Sequence, residues 1–508
     1  MSRGGALSWS PQLNETFSSV LHESVVHKTD SMAQRSARDS QIFIIGCGIS
    51  GIEATARSGG RIRTGRLEIR INWIHGPSTE NPVFHLACDY QLLNKKSMSE
   101  ENQAIDFGVH HRRFVPNWFT SSGRKLGPVV EFFINLLERS QQFHDSGGEP
   151  LPSVGEFVKA EVERLAPEEW KEDQANTALR LGMINTLLKV ECCVSGTHTM
   201  DDVGLGAFGM YKTLPGLDCT FPWFFPEGYE GLIDHMLKEL PKDIVWYNKP
   251  VKCIHWNYTK NGPKTTGTSF PIMIECVNGE TFAADHVIVT VPLGYLKKHQ
   301  STFLSPPLPL HKLHSIQRMG FGTNNKIFLE FEQPFWDEDC ELIYLVWEDE
   351  THLADVVSDV KNSWIRKLIR FTVLKPTERY GHMLCGWIAG RESEYMETLS
   401  EHGVLHSVTQ LLRKFTGNPT ITPRKLLRSQ WFHEPYSCRS YTYVAKGCSG
   451  YDIDNLAEPL PLKGSNSKVH LLSFCQCLFK QLDFILLLNS TLYIDIFSLL
   501  LTLLYFVN

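Results

Sequence analysis

Gln41-Ile-Phe-Ile-Ile45 runs directly into Gly46-Cys-Gly48-Ile-Ser-Gly51. The first five residues are a short, mostly apolar run, with the composition of a strand buried on both faces of a parallel sheet. The next six fit Gly-x-Gly-x-x-Gly. Gly46 permits a tight turn, Gly48 lets the backbone approach a pyrophosphate, and Gly51 allows a helix to pack closely on the strand. Alone the motif is weak; the strand before it is what points to a dinucleotide. A ribose-binding acidic residue is then expected ~20 residues on, after a helix and a second strand. Glu53 follows Gly51 by only two residues, whereas three helical turns take about 11. Either the fingerprint is accidental or a segment is absent.

The rest of the chain limits the choices. Its 508 residues suffice for two or three domains, and 42% apolar with 21% charged residues describes ordinary globular protein. Fifty basic against 56 acidic side chains give a net charge of −6. With no long basic run, this excludes nucleic acid as an expected partner. Thirteen cysteines include no CxxC pair, and His110-His111 has no ligand spacing, so no metal is expected. No G-x-S-x-G elbow marks a hydrolase. Residues 1–40 are polar and aperiodic, and read as a disordered leader.

Helical periodicity is clear from Val129 to Phe143 and from Val154 to Leu165. Strand patterns follow at Ile244–Tyr247, Val251–Ile254, Ile272–Cys276, Val287–Val291 and Lys326–Phe331, with helices near 363–369 and 403–415. Helices and strands alternate without a repeat, so the class is α/β or α+β with interleaved domains.

Glu53-Ala-Thr-Ala-Arg-Ser-Gly-Gly-Arg61, followed by Trp73-Ile-His75-Gly-Pro77, decides whether the glycine motif is accidental. This pairing resembles the flavin-dependent amine oxidases, specifically the polyamine oxidases. The resemblance runs from about Gln41 to Val469. It includes Glu191–His198, Leu214–Phe221, His286–Gly294, Gly320–Lys326 and Leu427–Trp431. It implies an α/β architecture in which a Rossmann-like FAD-binding domain is interleaved with a substrate domain of mixed sheet and helices. The FAD segments would be 41–78, 221–300 and 425–468, and the substrate segments 79–220 and 301–424. The apolar tail 469–508 stands outside the resemblance.

The resemblance also implies roles. Gly46, Gly48, Gly51, Glu53, Arg61, Val251 and Trp431 would contact FAD. Lys326 would hold a water beside the flavin, and His75 would meet the substrate amine, both counted as catalytic. Glu191, Asn324 and Tyr441 would line the polyamine site. Taken as bare residues, Glu191 reads as a solvated helix charge, Lys326 as a packed stem with a snorkelling head, and the aromatics as core. The implied reaction is FAD-dependent oxidation of N1-acetylspermine or N1-acetylspermidine. Its products would be a shorter polyamine, 3-acetamidopropanal and, from O2, hydrogen peroxide. A monomer is expected, peroxisomal or cytoplasmic.

Three departures from the family pattern all touch the flavin site. A helix and most of a strand are absent between Gly51 and Glu53. Residues 62–72 replace a glycine-containing segment. After Val469 the second flavin phrase, ending Gly-Glu-Ala-Thr, does not occur, and the chain ends Tyr-Phe-Val-Asn without a Ser-Lys-Leu-like peroxisomal address. Asp483, Asn489 and Asp495 interrupt the tail, so a membrane anchor there is the lesser expectation. Two readings stand: an active oxidase, or an inactive truncated or mis-spliced family member that cannot retain FAD.

Overall fold

The structure, a computed structural model, describes residues 42–45, 67, 73–74, 81–93, 117–119, 127–143, 152–209, 219–220, 228–239, 245–256, 264–265, 268–338, most of 340–353, 359–461 and 468–471. It is a mixed α/β protein built on several sheets.

Ile42–Ile45 forms the strand its apolar run predicts. It lies parallel to His286–Val289, which lies parallel to Lys468–Leu471, while Leu460–Pro461 adds an antiparallel edge. Ile45 aligns with Val289, and Val289 with Leu471, so three parallel strands end together. Thr290 reinforces that end: its backbone N–H and its hydroxyl both donate to the carbonyl of Ile45, at 3.0 Å each. A second sheet takes the order 304–305, 251–255, 272–276, 281–284. One apolar core joins the two sheets, with Ile45, Ile254, Ile274, Val287 and Val469 all buried.

The six-stranded sheet is the largest. Its order is Lys425–Arg428, Asn324–Phe331, His382–Ala389, Arg370–Val373, Leu342–Leu345 and Asn117–Phe119. One face carries Ile327, Leu329, Phe371, Leu384 and Ile388 and packs on helix Glu401–Thr416 through Val404, Val408 and Leu412. That helix starts at the Ser400 cap and stops at Gly417 in the left-handed region. Period-2 alternation assigns the other face to Asn324, Lys326, Phe328, Cys385, Trp387 and Arg370. Leu67 packs there with Phe328, Met383 and Cys385.

The helical layer is Gly127–Ser140, Val154–Glu169 and Thr177–Ser195. Ser153 and Glu156 form a reciprocal capping box at the second, and Gly196, at φ 69°, ends the third. These helices share a core that includes Phe133, Val158, Met183 and Ile184 and reaches the sheet at Val346, Ile369 and Ala389.

Two local expectations change. The helix placed near 363–369 is a helical turn, Val360–Ser363, continued as a 3-10 turn to Lys367. The strand placed at Ile244–Tyr247 does not form over its described residues 245–247. Trp246 instead packs edge-on against Phe43 and against Phe282. Asn248, at φ 57°, and Pro250, which has no N–H, break the extended path. Residues 425–428 form an edge strand of the six-stranded sheet, paired with Ile327–Glu330.

Candidate functional site

The end of helix Thr177–Ser195 meets the six-stranded sheet at Asn324. The Asn324 amide nitrogen donates to the carbonyl of Cys193 at 2.8 Å, and its backbone N–H donates to Ser440 Oγ at 2.7 Å. Its side-chain oxygen is buried with no hydrogen-bond partner among the described residues. Two residues along the same face, Lys326 is 5% exposed, and its ammonium lies 4.9 Å over the Trp387 ring. Its head is therefore inside the protein.

Glu191 stands one residue before the Cys192-Cys193 pair. Desolvation pushes its carboxyl from the ordinary 4.5 up to about 7, and Arg370 pulls in the opposite direction. Glu191 is half-buried, not fully solvated as a surface helix charge would be. The charges of Lys326 and Arg370 also both act on the Cys385 thiol, which burial raises to about 12. Arg370 and Lys326 share the sheet face that the end of the helix meets at Asn324.

Tyr441 begins the strand Tyr441–Tyr443, which pairs antiparallel with Gly320–Gly322. Gly196 turns the chain beneath it: a Cβ there would stand 2.7 Å from Tyr441 Cβ. Gly322, opposite Tyr441, comes closer still to the same turn, because its Cβ would lie 1.9 Å from the carbonyl oxygen of Gly196. The helix end therefore meets Asn324 through a hydrogen bond and Tyr441 across a glycine that tolerates no larger side chain.

Trp431 is held from the opposite face of the sheet. Asn325 Oδ1 accepts from Trp431 N–H at 3.2 Å and from Ser429 Oγ at 2.8 Å. The Asn325 amide nitrogen donates to Ser393 Oγ at 2.9 Å and to Glu397 Oε1 at 2.6 Å. Glu397 in turn accepts from the backbone N–H groups of Phe432 and His433, at 2.9 and 3.1 Å. His433 Nδ1 stands 2.8 Å from its other oxygen. Ser429 Oγ accepts from Lys326 N–H at 2.9 Å, so one buried network fixes both the Lys326 backbone and the turn at Trp431.

Glu191, Asn324, Lys326 and Tyr441 are thus gathered where helix and sheet meet, with Trp431 anchored behind them. Val251 is elsewhere, half-buried in its own sheet beside the parallel strands. Gly46, Gly48, Gly51, Glu53, Arg61 and His75 lie outside the described residues, as does the tail beyond Leu471. Sequence reasoning did not single out Arg370 or Trp387. Nothing local marks them, because their relation to Lys326 is cross-strand.

A small open cleft on another flank of helix Thr177–Ser195 is lined by Lys159, Lys189, Asp201, Glu350 and Arg366, and by none of the expected site residues. Its charges satisfy one another: Lys159 with Asp201 at 2.7 Å, Arg366 with Glu350 at 3.0 Å, and Lys189 with Glu350. No described helix is long and apolar enough to cross a membrane, and no described His, Cys, Asp and Glu cluster could hold a metal.

The model of the flavin containing amine oxidoreductase family matches residues 196–469. The chain is 46% identical to the peroxisomal N(1)-acetyl-spermine/spermidine oxidase of Bos taurus, over 87% of its own length and 90% of the relative's. It is 45% identical to the Homo sapiens protein of that description, over 85% and 89%. A probable polyamine oxidase of Arabidopsis thaliana is 26% identical over 84% and 89%.

Proposed function

The chain belongs to the flavin containing amine oxidoreductase family, and from that premise we propose that it oxidises N1-acetylated polyamines with FAD. The carrying observation is its likeness, over most of the chain, to two N1-acetyl-spermine/spermidine oxidases.

The residues fit the cofactor in one respect and the substrate in another. The three parallel strands end in register where the Gly46-x-Gly48 sequence begins, and the outer ends of parallel strands are where dinucleotides are held in such sheets. Asn324 offers a buried oxygen without a partner among the described residues, a group that a bound molecule would satisfy. In our reading Gly46, Gly48, Gly51, Glu53, Arg61, Val251 and Trp431 would hold FAD. When bound, FAD supplies a two-electron acceptor that O2 returns to its oxidised state, releasing hydrogen peroxide.

The chain's own side chains orient the amine and manage its proton. Glu191, as a carboxylate, offsets a substrate ammonium, and Asn324 orients the polyamine by hydrogen bonding. His75 meets the reacting amine, which must be neutral when its neighbouring carbon gives up a hydride. Lys326 holds a water molecule through its ammonium, and Tyr441 closes the wall. Hydrolysis of the resulting imine yields 3-acetamidopropanal and the shorter polyamine. The domain division given by the resemblance, a monomeric state and a peroxisomal or cytoplasmic location belong to the same reading.

A second reading is a family member that does not retain FAD. It rests on the two-residue interval between Gly51 and Glu53 and on the divergent segments at 62–72 and after Val469. One experiment separates the two: the purified chain is incubated with FAD, desalted, and assayed for flavin absorbance and for peroxide release on N1-acetylspermine. Retained flavin with acetylpolyamine-dependent peroxide upholds the oxidase. Absence of both upholds the second reading.

A further inference from the structure

We infer that Arg370 is a specificity-determining residue that receives the neutral, acetylated end of the substrate and turns a cationic end away. This rests on the oxidase reading above. Lys326 pairs with Trp387, and Phe371 with Gly386, which sets Arg370 beside Trp387; Tyr344 pairs with Arg370. Directly opposed residues share a face, so Lys326, Trp387, Arg370 and Tyr344 form one row across the sheet. At about 4.8 Å per strand, the backbones of Arg370 and Lys326 stand two strands, ~10 Å, apart.

The guanidinium has donors to spare. Its Nη1 donates to Tyr344 Oη at 3.0 Å, with the carbon of the group 5.6 Å from the Tyr344 ring centroid. Nε is buried with no hydrogen-bond partner among the described residues. Arginine has five N–H donors and no acceptor, and a half-buried guanidinium with unused donors is costly unless an acceptor meets it. An amide carbonyl oxygen is such an acceptor, whereas a terminal ammonium supplies none and carries the same charge. That backbone spacing is also of the same order as an acetamidopropyl arm. Roughly 6 Å of chain separates its carbonyl carbon from the next nitrogen, and a hydrogen bond adds ~3 Å. Glu191, on the neighbouring helix, would take the protonated nitrogens instead.

The test compares wild type, Arg370→Met and Arg370→Lys on N1-acetylspermine and spermine, by peroxide release and by titration calorimetry of each polyamine. In Arg370→Met, kcat/KM for N1-acetylspermine should fall ~10- to 100-fold while that for spermine rises, with matching changes in Kd. Arg370→Lys, which keeps the charge and loses the planar fork, should lower the acetylated preference less. Equal loss on both polyamines, or an unchanged ratio in Arg370→Met, overturns the inference. Should Arg370→Met not fold, the same ratio in Arg370→Lys decides. If no variant turns over any polyamine, the oxidase reading fails by itself. Calorimetry then still reads Arg370: loss of the acetylated preference in Arg370→Met upholds it, and no difference overturns it.

Discussion

The ammonium of Lys326 lies 4.9 Å from the ring centroid of Trp387, its direct partner on the neighbouring strand. The indole face offsets part of the cost of holding a cation inside the sheet, and it fixes where the head group sits. If Lys326 holds a water for the reaction, Lys326→Met should lower kcat by ~100-fold. Its urea midpoint should fall only modestly, because Met keeps the length and the apolar stem of the buried side chain. Stopped-flow turnover beside urea denaturation checks both. Unchanged kcat in a folded variant would remove Lys326 from the mechanism.

Glu191 carries a pH signature. Its folded value of about 7 lies above the ordinary 4.5. Between those values the folded chain keeps a proton that the unfolded chain has released, so this group's contribution to stability falls as pH rises from about 4.5 through 7. Melting curves should therefore show wild type losing more Tm between pH 5 and 8 than Glu191→Gln. Affinity for cationic polyamine should move the other way, tightening as the carboxylate forms near pH 7, and this limb should vanish in the variant. A KM profile identical in the two proteins would disprove the role.

Glu397 accepts four hydrogen bonds inside the sheet layer, from Asn325, Phe432 and, twice, His433. Truncation leaves donors unsatisfied at about 1–3 kcal/mol each. Glu397→Ala should therefore lose roughly 3–5 kcal/mol by chemical denaturation, at the top of the usual range for single substitutions. A loss below about 1 kcal/mol would mean that water replaces the carboxylate and that the turn at Trp431 is held by other contacts.

Gly322 admits no side chain, since its Cβ would stand 1.9 Å from the Gly196 carbonyl oxygen and both partners are backbone. Gly322→Ala should force the helix end away from the strand at Tyr441, lowering Tm by several degrees. It should also weaken polyamine binding more than Gly417→Ala, whose Cβ meets nothing within 4 Å. Gly417→Ala supplies the backbone control, because its φ of 69° strains any side chain without a clash. Equal effects would assign the whole penalty at Gly322 to glycine's flexibility.

Local chemistry made much of this protein legible in one dimension. The apolar run before Gly46 is a parallel strand because such runs suit burial on both faces. The stripes at Val154 and Val129 became helices packed on one core. Dispersed phrases such as Gly320–Lys326 were enough for the family, since they survive in order along the chain. The strand at Ile244–Tyr247 was misread because β-rich composition does not reveal that Trp246 packs its ring on Phe43 and Phe282 while Asn248 turns the backbone.

What the amino-acid sequence determined by itself was therefore the class of fold, the family, and the identity of several side chains for which that family implies roles. Only the tertiary structure decided which of them meet. Arg370 joins the row of Lys326 through strand register, and Asn325 and Glu397 join the turn at Trp431 through hydrogen bonds between segments distant along the chain. The Glu191 carboxyl rises toward neutrality only because folding takes water away from it. Periodicity and motif are properties of neighbours along the chain, whereas register, desolvation and shared partners arise when remote segments are brought together.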